Sequence, residues 1–477
     1  MSTQKASEIE QILHSTEKTE PVVNRRDFMK GSGAAAAGLA AMASSTGRAA
    51  SLPYSDDYGP LSVKPCNATG LNLLALPDGF EYISYGWTGQ RQTDGTYTAR
   101  GHDGMGVVAA RGNTICLVRN HELSGSNGLS SKPANGAGVY SHAHNGGTSS
   151  LLFDVVNGKF LSAWNSLGGT IRNCSGGLTP WGTWLSCEET FHSWRADDYN
   201  HGYVFEVPGF GISDGQPIRE MGRFSHEAAA VDPATGFVYE TEDSGASAFY
   251  KFEPSGEWGD LKSGGKLYAM VVDNTPRVDL RGGLAHGTTW SVSWQEVPDP
   301  DAQTQSCYDQ ATDAAIIERG EGCFYDHGKI YFCSTSGGAA NRGQIFVYDP
   351  RSETLTLMFE SAGSSQVDGP DNICVSPRGS VLMCEDGGRN PKLCVGLSQT
   401  GNTFPFIENQ VVLSAGDIDT VDAVYAGTKA NFHSNPIGDY RGSEFAGGCF
   451  YDRWLFVNIQ TPGITFAIKG PWENGAL

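Results

Sequence analysis

The sequence predicts an all-β fold, a single β-propeller of six blades, and three observations carry that expectation. After residue 50 no stretch keeps a 3.6-residue apolar period beyond about twelve residues. Short alternating or continuous apolar runs recur instead, bounded by Gly, Asp, Asn or Pro. A unit of strand, Asp-rich turn and strand returns along the chain, as propeller blades do. Glycine supplies 62 of the 477 residues without a G-X-Y period, which suits a fold of many turns. A pair of β-sandwiches or a β-helix would also use short strands, and these are the architectural alternatives.

The first element is an address. Asn24-Arg25-Arg26-Asp27-Phe28-Met29-Lys30 has the twin-arginine export pattern, followed by a mildly apolar run over 34–42 and small residues to Ala50. The run falls short of the roughly 20 strongly apolar residues a membrane-spanning helix needs. The competing explanation is a cytoplasmic helix with a chance arginine pair. Residues 1–50 are therefore expected to be a signal peptide cut near Ala43 or Ala49, and residues 51–477 one catalytic propeller domain. The implied location is the periplasm or the exterior, with the twin-arginine translocase as export partner and no stable membrane anchor.

Strands are expected at 150–155, 203–207, 237–241, 249–252, 329–333, 344–348, 380–384 and 455–459. The recurring hairpin is clearest where Cys323-Phe324-Tyr325-Asp326-His327-Gly328 leads into 329–332. It returns at Cys449-Phe450-Tyr451-Asp452-Arg453 before 454–457, and more loosely at Val231-Asp232-Pro233-Ala234-Thr235-Gly236 before 237–240. Long inserts such as 275–320 make the repeat irregular. A propeller matters because its inner strands and loops converge on one axial mouth, where residues distant in sequence meet.

Composition narrows the chemistry. There are 33 Lys plus Arg against 53 Asp plus Glu, a formal charge of −20. Such a balance argues against nucleic acid and anionic membranes as partners and favours metal cations. All eleven cysteines lie after residue 50, with no CxxC or CxxH pair, so zinc fingers and ferredoxin-type clusters are excluded. Most are expected to be buried, reduced and apolar in role. A nucleophile elbow, a P-loop, a GxGxxG loop and HExxH are all missing, and there is no basic patch.

What remains is a set of carboxylates at strand ends beside small residues. They occur in Arg119-Asn120-His121-Glu122, in Asn173-Cys174-Ser175-Gly176-Gly177 with Cys187-Glu188-Glu189, and in Ser225-His226-Glu227-Ala228. Others are Glu242-Asp243, Arg319-Gly320-Glu321-Gly322, Asp368-Gly369-Pro370-Asp371 with Cys384-Glu385-Asp386, and Ser443-Glu444. Hard cations take six to eight oxygens, whereas five or more carboxylates gathered without one would repel and pay desolvation. Any one pair alone reads as a solvated turn; the whole set at blade ends reads as a cation site. Cys174, beside Asn173 and a Gly-Gly turn, is a candidate thiolate ligand for iron. His142 and His144, near Gly146-Gly147-Thr148, are candidate ligands on type alone but read better as a solvated His-rich loop. Arg319 and Glu321 sit at i and i+2, facing the same way on a strand. That pair is either an ion pair within a blade or a guanidinium set to grip phosphate or carboxylate oxygens.

Taken together, the motifs resemble the PhoX-type alkaline phosphatase family. The resemblance rests on the twin-arginine leader, RNHE, NCSGGLTPWGTWLSCEE, SHEAAAVDPATGFVYETED, RGEG, PDNICVSPRG and VNIQTPG, in order from about residue 119 to 463. It implies a six-bladed propeller with a cluster of Fe3+ and Ca2+ around a bridging oxo group in the axial mouth. It further implies hydrolysis of phosphate monoesters, small-molecule substrates, outside the cytoplasm by metal-activated oxo or hydroxo attack. By motif, Cys174 resembles the thiolate ligand to iron, and Glu227 and Glu321 its carboxylate partners towards calcium. Glu189 resembles a calcium ligand, and Asp386 and Glu444 members of the same shell, with Glu385 or Asp371 as alternatives to Asp386. Asn120 resembles a residue near the phosphate, and Arg319 the arginine that neutralises it. The chain departs from the family in being shorter and in reading Asp439-Tyr440-Arg441-Gly442 before Glu444, with no match to the family's basic residues there. Two competitors remain: a calcium-dependent lactonase or esterase propeller, which would not need Cys174, and a catalytically silent exported binding propeller. The protein is expected to act as a monomer.

Overall fold

The computed structural model describes residues 19–21, 56–126, 128–191, 199–432 and 436–477. The twin-arginine motif and both candidate cleavage points lie outside the described residues. Nearly every regular element described is a β-strand, and the sheets are antiparallel meanders in a propeller-like arrangement.

The first meander runs through His102–Arg111, Thr114–His121, Gly146–Asp154 and Lys159–Thr170. The next uses Asn173–Leu178, Thr183–Glu188, Val204–Pro208 and Pro217–Ile218. Two further meanders, starting at His226–Val231 and at Gly320–Asp326, are joined at their outer edges by Thr289–Glu296, which pairs with both Gly265–Val272 and Thr354–Glu360. The segment 275–320, expected as a plain insert, thus contains a strand that staples two units. Backbone pairing and a narrow apolar face together hold it, for Trp290, Val292 and Trp294 alternate along it and pack into the core with Tyr239, Phe249 and Tyr348.

The beginning of the chain closes the last two sheets. Asn72–Leu76 extends the meander that starts at Pro370–Val375, pairing with Thr403–Asn409. Glu81–Tyr85 adds the outer strand to Phe445–Tyr451, Trp454–Ile459 and Ile464–Lys469. The leading strands of the meanders pack side by side in a closed cycle, the last against the first. All eight runs expected as strands are strands, displaced by at most a few residues.

Local chemistry explains the turns. Between Gly320–Asp326 and Lys329–Ser334 the two turn residues are His327 (φ 46°) and Gly328 (φ 83°), the doubly left-handed geometry that matches strand twist. Asp232 caps the turn at 232–237 by accepting from Ala234 N at 3.0 Å and Thr235 Oγ1 at 2.9 Å.

The core lies between neighbouring sheets. Phe249 stacks on Phe332 with centroids 4.2 Å apart, and Phe346, Tyr348 and Tyr239 complete that layer. Each such aromatic contributes about 1.5–3 kcal/mol by leaving water. All eleven cysteines are buried and free, as their type suggested. His144 corrects its expectation: it is 2% exposed, its ring edge-on to His201 at 5.0 Å, while His142 is exposed. The glycine-rich 146–148 run starts a long strand, and that draws His144 under cover.

Candidate metal centre

A single backbone device, repeated, delivers the acidic side chains. In every meander the first strand carries a β-bulge against the second. Three steps on the first strand oppose two on its partner: His102–Met105 against His121–Arg119, Asn173–Gly176 against Glu188–Ser186, and His226–Ala229 against Glu242–Glu240. The same count holds for Gly320–Cys323 against Ser334–Phe332, Pro370–Ile373 against Glu385–Met383, and Ala446–Cys449 against Asn458–Phe456. A bulge re-aims the side chain beside it.

The residue entering each bulge is Asp103, Cys174, Glu227, Glu321, Asp371 or Gly447. The residue just past the opposite partner is Glu122, Glu189, Asp243, Thr335, Asp386 or Ile459. Antiparallel pairing sets these two positions next to each other in each meander. The last meander alone offers neither ligand and brings Glu444 from the step before its first strand. Gly447 is required there: at φ 64° a Cβ would lie 2.6 Å from the carbonyl oxygen of Asp103.

The side chains meet in overlapping trios, each with ligand atoms within 4.8 Å of one another. Cys174, Glu189 and Glu227 form one; Glu227, Glu321 and Asp371 the next; then Asp371, Asp386 and Glu444; then Glu444, Asp103 and Glu122. Every residue expected as a metal ligand therefore falls in one connected cluster. Of the alternatives to Asp386, Asp371 joins the cluster alongside it. Glu385 turns away, accepting from Asp368 N at 2.9 Å and lying 3.1 Å from Arg389 Nε.

The electrostatics call for a cation. Glu227 is 1% exposed and neither of its carboxylate oxygens has a hydrogen-bond partner among the described residues. Burial, and then the carboxylates of Asp371 and Glu189, hold its proton on well above the ordinary range. Burial and acidic neighbours likewise raise Glu321, Asp103 and Glu444, push Glu189 to about 8 and push Asp371 to about 7. The Cys174 thiol is raised by burial and by Asp103, whose Oδ2 lies 3.6 Å from its sulfur. Buried polar atoms without partners are costly, and cations are what a thiol and eight carboxylates in this arrangement fit.

Asn120 is placed beneath this cluster. Its Nδ2 donates to the carbonyls of Cys174 at 3.1 Å and Ser175 at 2.6 Å. Its Oδ1 accepts from Trp184 Nε1 at 3.0 Å and Ser186 Oγ at 2.9 Å. The side chain is wholly buried and fully occupied in holding the bulge that aims Cys174. Analogous grips recur: Thr241 Oγ1 donates to the Glu321 carbonyl at 2.5 Å, Cys333 Sγ to that of Asp371 at 2.9 Å, and Asn458 Nδ2 to that of Asp103 at 2.6 Å.

Charge of the opposite sign lies at the rim. Arg319 Nε donates to Asp243 at 2.8 Å and its Nη2 to Glu321 at 2.6 Å, with two fifths of the side chain exposed. Arg172 makes the same pair of contacts, Nε to Glu122 at 3.0 Å and Nη2 to Glu189 at 2.5 Å. Lys392 Nζ lies 3.3 Å from Asp386. Sequence reasoning passed over Asp103, Arg172 and Lys392. A signal for Asp103 existed: His102-Asp103-Gly104 repeats the His-acid-small order of His226-Glu227-Ala228.

Comparison with known proteins agrees with this geometry. The family model for alkaline phosphatase PhoX matches residues 57–163 and 152–463, and that for the twin-arginine translocation signal sequence matches 22–42. Among solved structures, the fold is similar to Pseudomonas fluorescens PhoX in complex with vanadate, at 17% identity and TM-score 0.61, covering 88% of this chain and 99% of that one. A gluconolactonase of Xanthomonas campestris aligns at 12% identity and TM-score 0.39 over 88% of this chain and 99% of its own. No curated protein matches the sequence. The leader directs export across the cytoplasmic membrane, and no helix among the described residues is long and apolar enough to cross a membrane. The chain belongs to the PhoX alkaline phosphatase family and is an exported phosphoric monoester hydrolase.

Proposed function

We propose that residues 51–477 form one six-bladed propeller, acting as a monomer, whose mouth hydrolyses phosphate monoesters at a mixed iron and calcium centre. The cyclic packing of the leading strands and the meander order support the blade count. The observation that carries the metal reading is Glu227, buried between two acidic trios with both oxygens unpartnered. Cys174, Glu189 and Glu227 would hold iron, since a thiolate among carboxylates suits that metal; Glu189, by motif similar to a calcium ligand, goes to iron in this reading because it shares the Cys174 trio. Glu321, Asp371, Asp386, Glu444, Asp103 and Glu122 would hold calcium, which prefers oxygen alone. When bound, such cations neutralise phosphoryl charge and supply a nucleophile at neutral to alkaline pH.

The chain's own side chains do the rest. Arg319, fixed by Asp243 and Glu321, presents a positive charge at the rim, where a phosphate dianion would enter. Glu321 and Asp243 hold that guanidinium against drift, so its orientation costs little at the moment of reaction. Asn120 keeps the Cys174 bulge in register and is a positioning residue in this reading, set back from the substrate. A lactonase using calcium alone would have no need of Cys174 inside the first trio.

The test is hydrolysis of p-nitrophenyl phosphate at alkaline pH by protein exported on its own leader, with and without EDTA, alongside elemental analysis of the same sample. Chelator-sensitive turnover with iron and calcium present is expected. Both metals without turnover would move the function to another ester or to binding. Neither metal would remove the centre.

A further inference from the structure

In four of the six meanders the position just before the bulge pair takes a left-handed backbone. Gly101 (φ 64°) and Gly369 (φ 67°) supply it in two meanders, as glycine does freely. In two others the residue is arginine: Arg172 and Arg319, each at φ 48°. A non-glycine residue there carries a backbone cost that glycine would avoid, so the side chain is the reason to look for a role.

The two side chains are arranged alike. Each Nε reaches back to the carboxylate that ends the preceding meander's second strand, Glu122 for Arg172 and Asp243 for Arg319. Each Nη2 reaches a carboxylate of its own meander, Glu189 and Glu321 respectively. In both, Nη1 has no hydrogen-bond partner among the described residues, and two fifths of the side chain is exposed. The meander between them contributes Glu227, which belongs to the trio of Glu189 and to that of Glu321. Two guanidiniums thus flank one buried carboxylate, each locked on two edges and holding out its remaining donors.

We propose that Arg172 is a second phosphate-binding residue, forming with Arg319 a two-arginine clamp on the phosphoryl oxygens of substrate and product. This rests on the phosphatase reading and names how its substrate is held. A dianionic phosphate offers three oxygens, enough for one from each Nη1 and one left to the cations.

The test uses the mature, metal-loaded enzyme with Arg172→Gln and Arg172→Lys, and Arg319→Gln for comparison. Metal content, kcat and KM for p-nitrophenyl phosphate, and calorimetric binding of inorganic phosphate are read on each. With iron and calcium retained, Arg172→Gln should raise KM and the phosphate Kd at least tenfold. Arg172→Lys, keeping charge without the fork, should recover part of the loss. Unchanged KM and phosphate Kd in a metal-replete Arg172→Gln enzyme would overturn the clamp. So would loss of metal in both Arg172 variants, which would make the residue a support of the centre alone. Wild-type enzyme that binds phosphate but turns over no monoester would defeat the phosphatase reading while leaving the calorimetric comparison to decide Arg172.

Discussion

Stripping the cations should give this protein a stability that falls as pH rises, and the size follows from Glu189. Burial comes first and Glu122 among its acidic neighbours adds to it, so the folded, metal-free carboxyl titrates at about 8 against 4.5 when unfolded. The native state then keeps a proton that the unfolded chain has already lost. That contribution is complete below pH 4.5 and disappears as pH climbs through 8. The difference is worth about 5 kcal/mol at 1.36 kcal/mol per pKa unit. Asp371, raised to about 7, moves the same way, but the two share one cluster and their effects do not add. Between pH 5 and 8 about 3.5 kcal/mol of this is lost, and with an unfolding entropy of roughly 0.9 kcal/mol/K for a domain of this size the Tm should drop about 4 °C over that window. Metal-loaded protein should show no such drop, because cations keep the carboxylates ionised. Scanning calorimetry of leader-free protein at pH 5, 6.5 and 8, with and without EDTA, measures both curves. Glu189→Gln should flatten the chelated one. A chelated Tm that ignores pH over this window, or EDTA without effect at pH 8, would refute the reasoning.

Three substitutions separate the roles within the site. Cys174→Ser should lose iron and turnover together, read by elemental analysis and p-nitrophenyl phosphate hydrolysis; full activity without iron would favour a calcium-only esterase. Arg319→Ala should cut kcat/KM by about 10²–10³ with both metals retained, the usual effect of removing one preorganised donor; metal loss instead would make Arg319 structural. Asn120→Ala should lower stability in denaturant by about 2–5 kcal/mol, since it removes the acceptor of Trp184 Nε1 and of the Ser186 hydroxyl and the donor to the carbonyls of Cys174 and Ser175. A metal-replete Asn120→Ala protein of wild-type stability with a raised KM would return Asn120 to the substrate.

Local pattern made much of this readable in advance. The runs at 329–333 and 344–348 are apolar at alternate or successive positions, and the first follows a tight turn at His327-Gly328, so their strands needed no tertiary information. Cys174, Glu227 and Glu321 stood out because each sits beside a small residue at a strand start. Thr289–Glu296 did not, although Trp290, Val292 and Trp294 alternate along it: it lies inside the long insert 275–320, and only the tertiary structure shows its pairing across two meanders. Arg172 was hidden for a different reason: a lone arginine in a loop has no pattern, and its likeness to Arg319 lies in backbone angle and register.

The linear order of residues determined the export leader, the all-β character and the kinds of ligand present, because composition and period two act over a few neighbours. The tertiary structure decided which carboxylates meet. Asp103 and Glu122 come within reach of Glu444 only because the first and last meanders lie side by side and each first strand carries its bulge at a matching step. A shift of one residue in any of those pairings would send the acid to the opposite face of its strand, since side chains alternate there. It also decided that Asn120 holds a backbone and that two arginines face one site, for both depend on contacts between residues fifty or more positions apart.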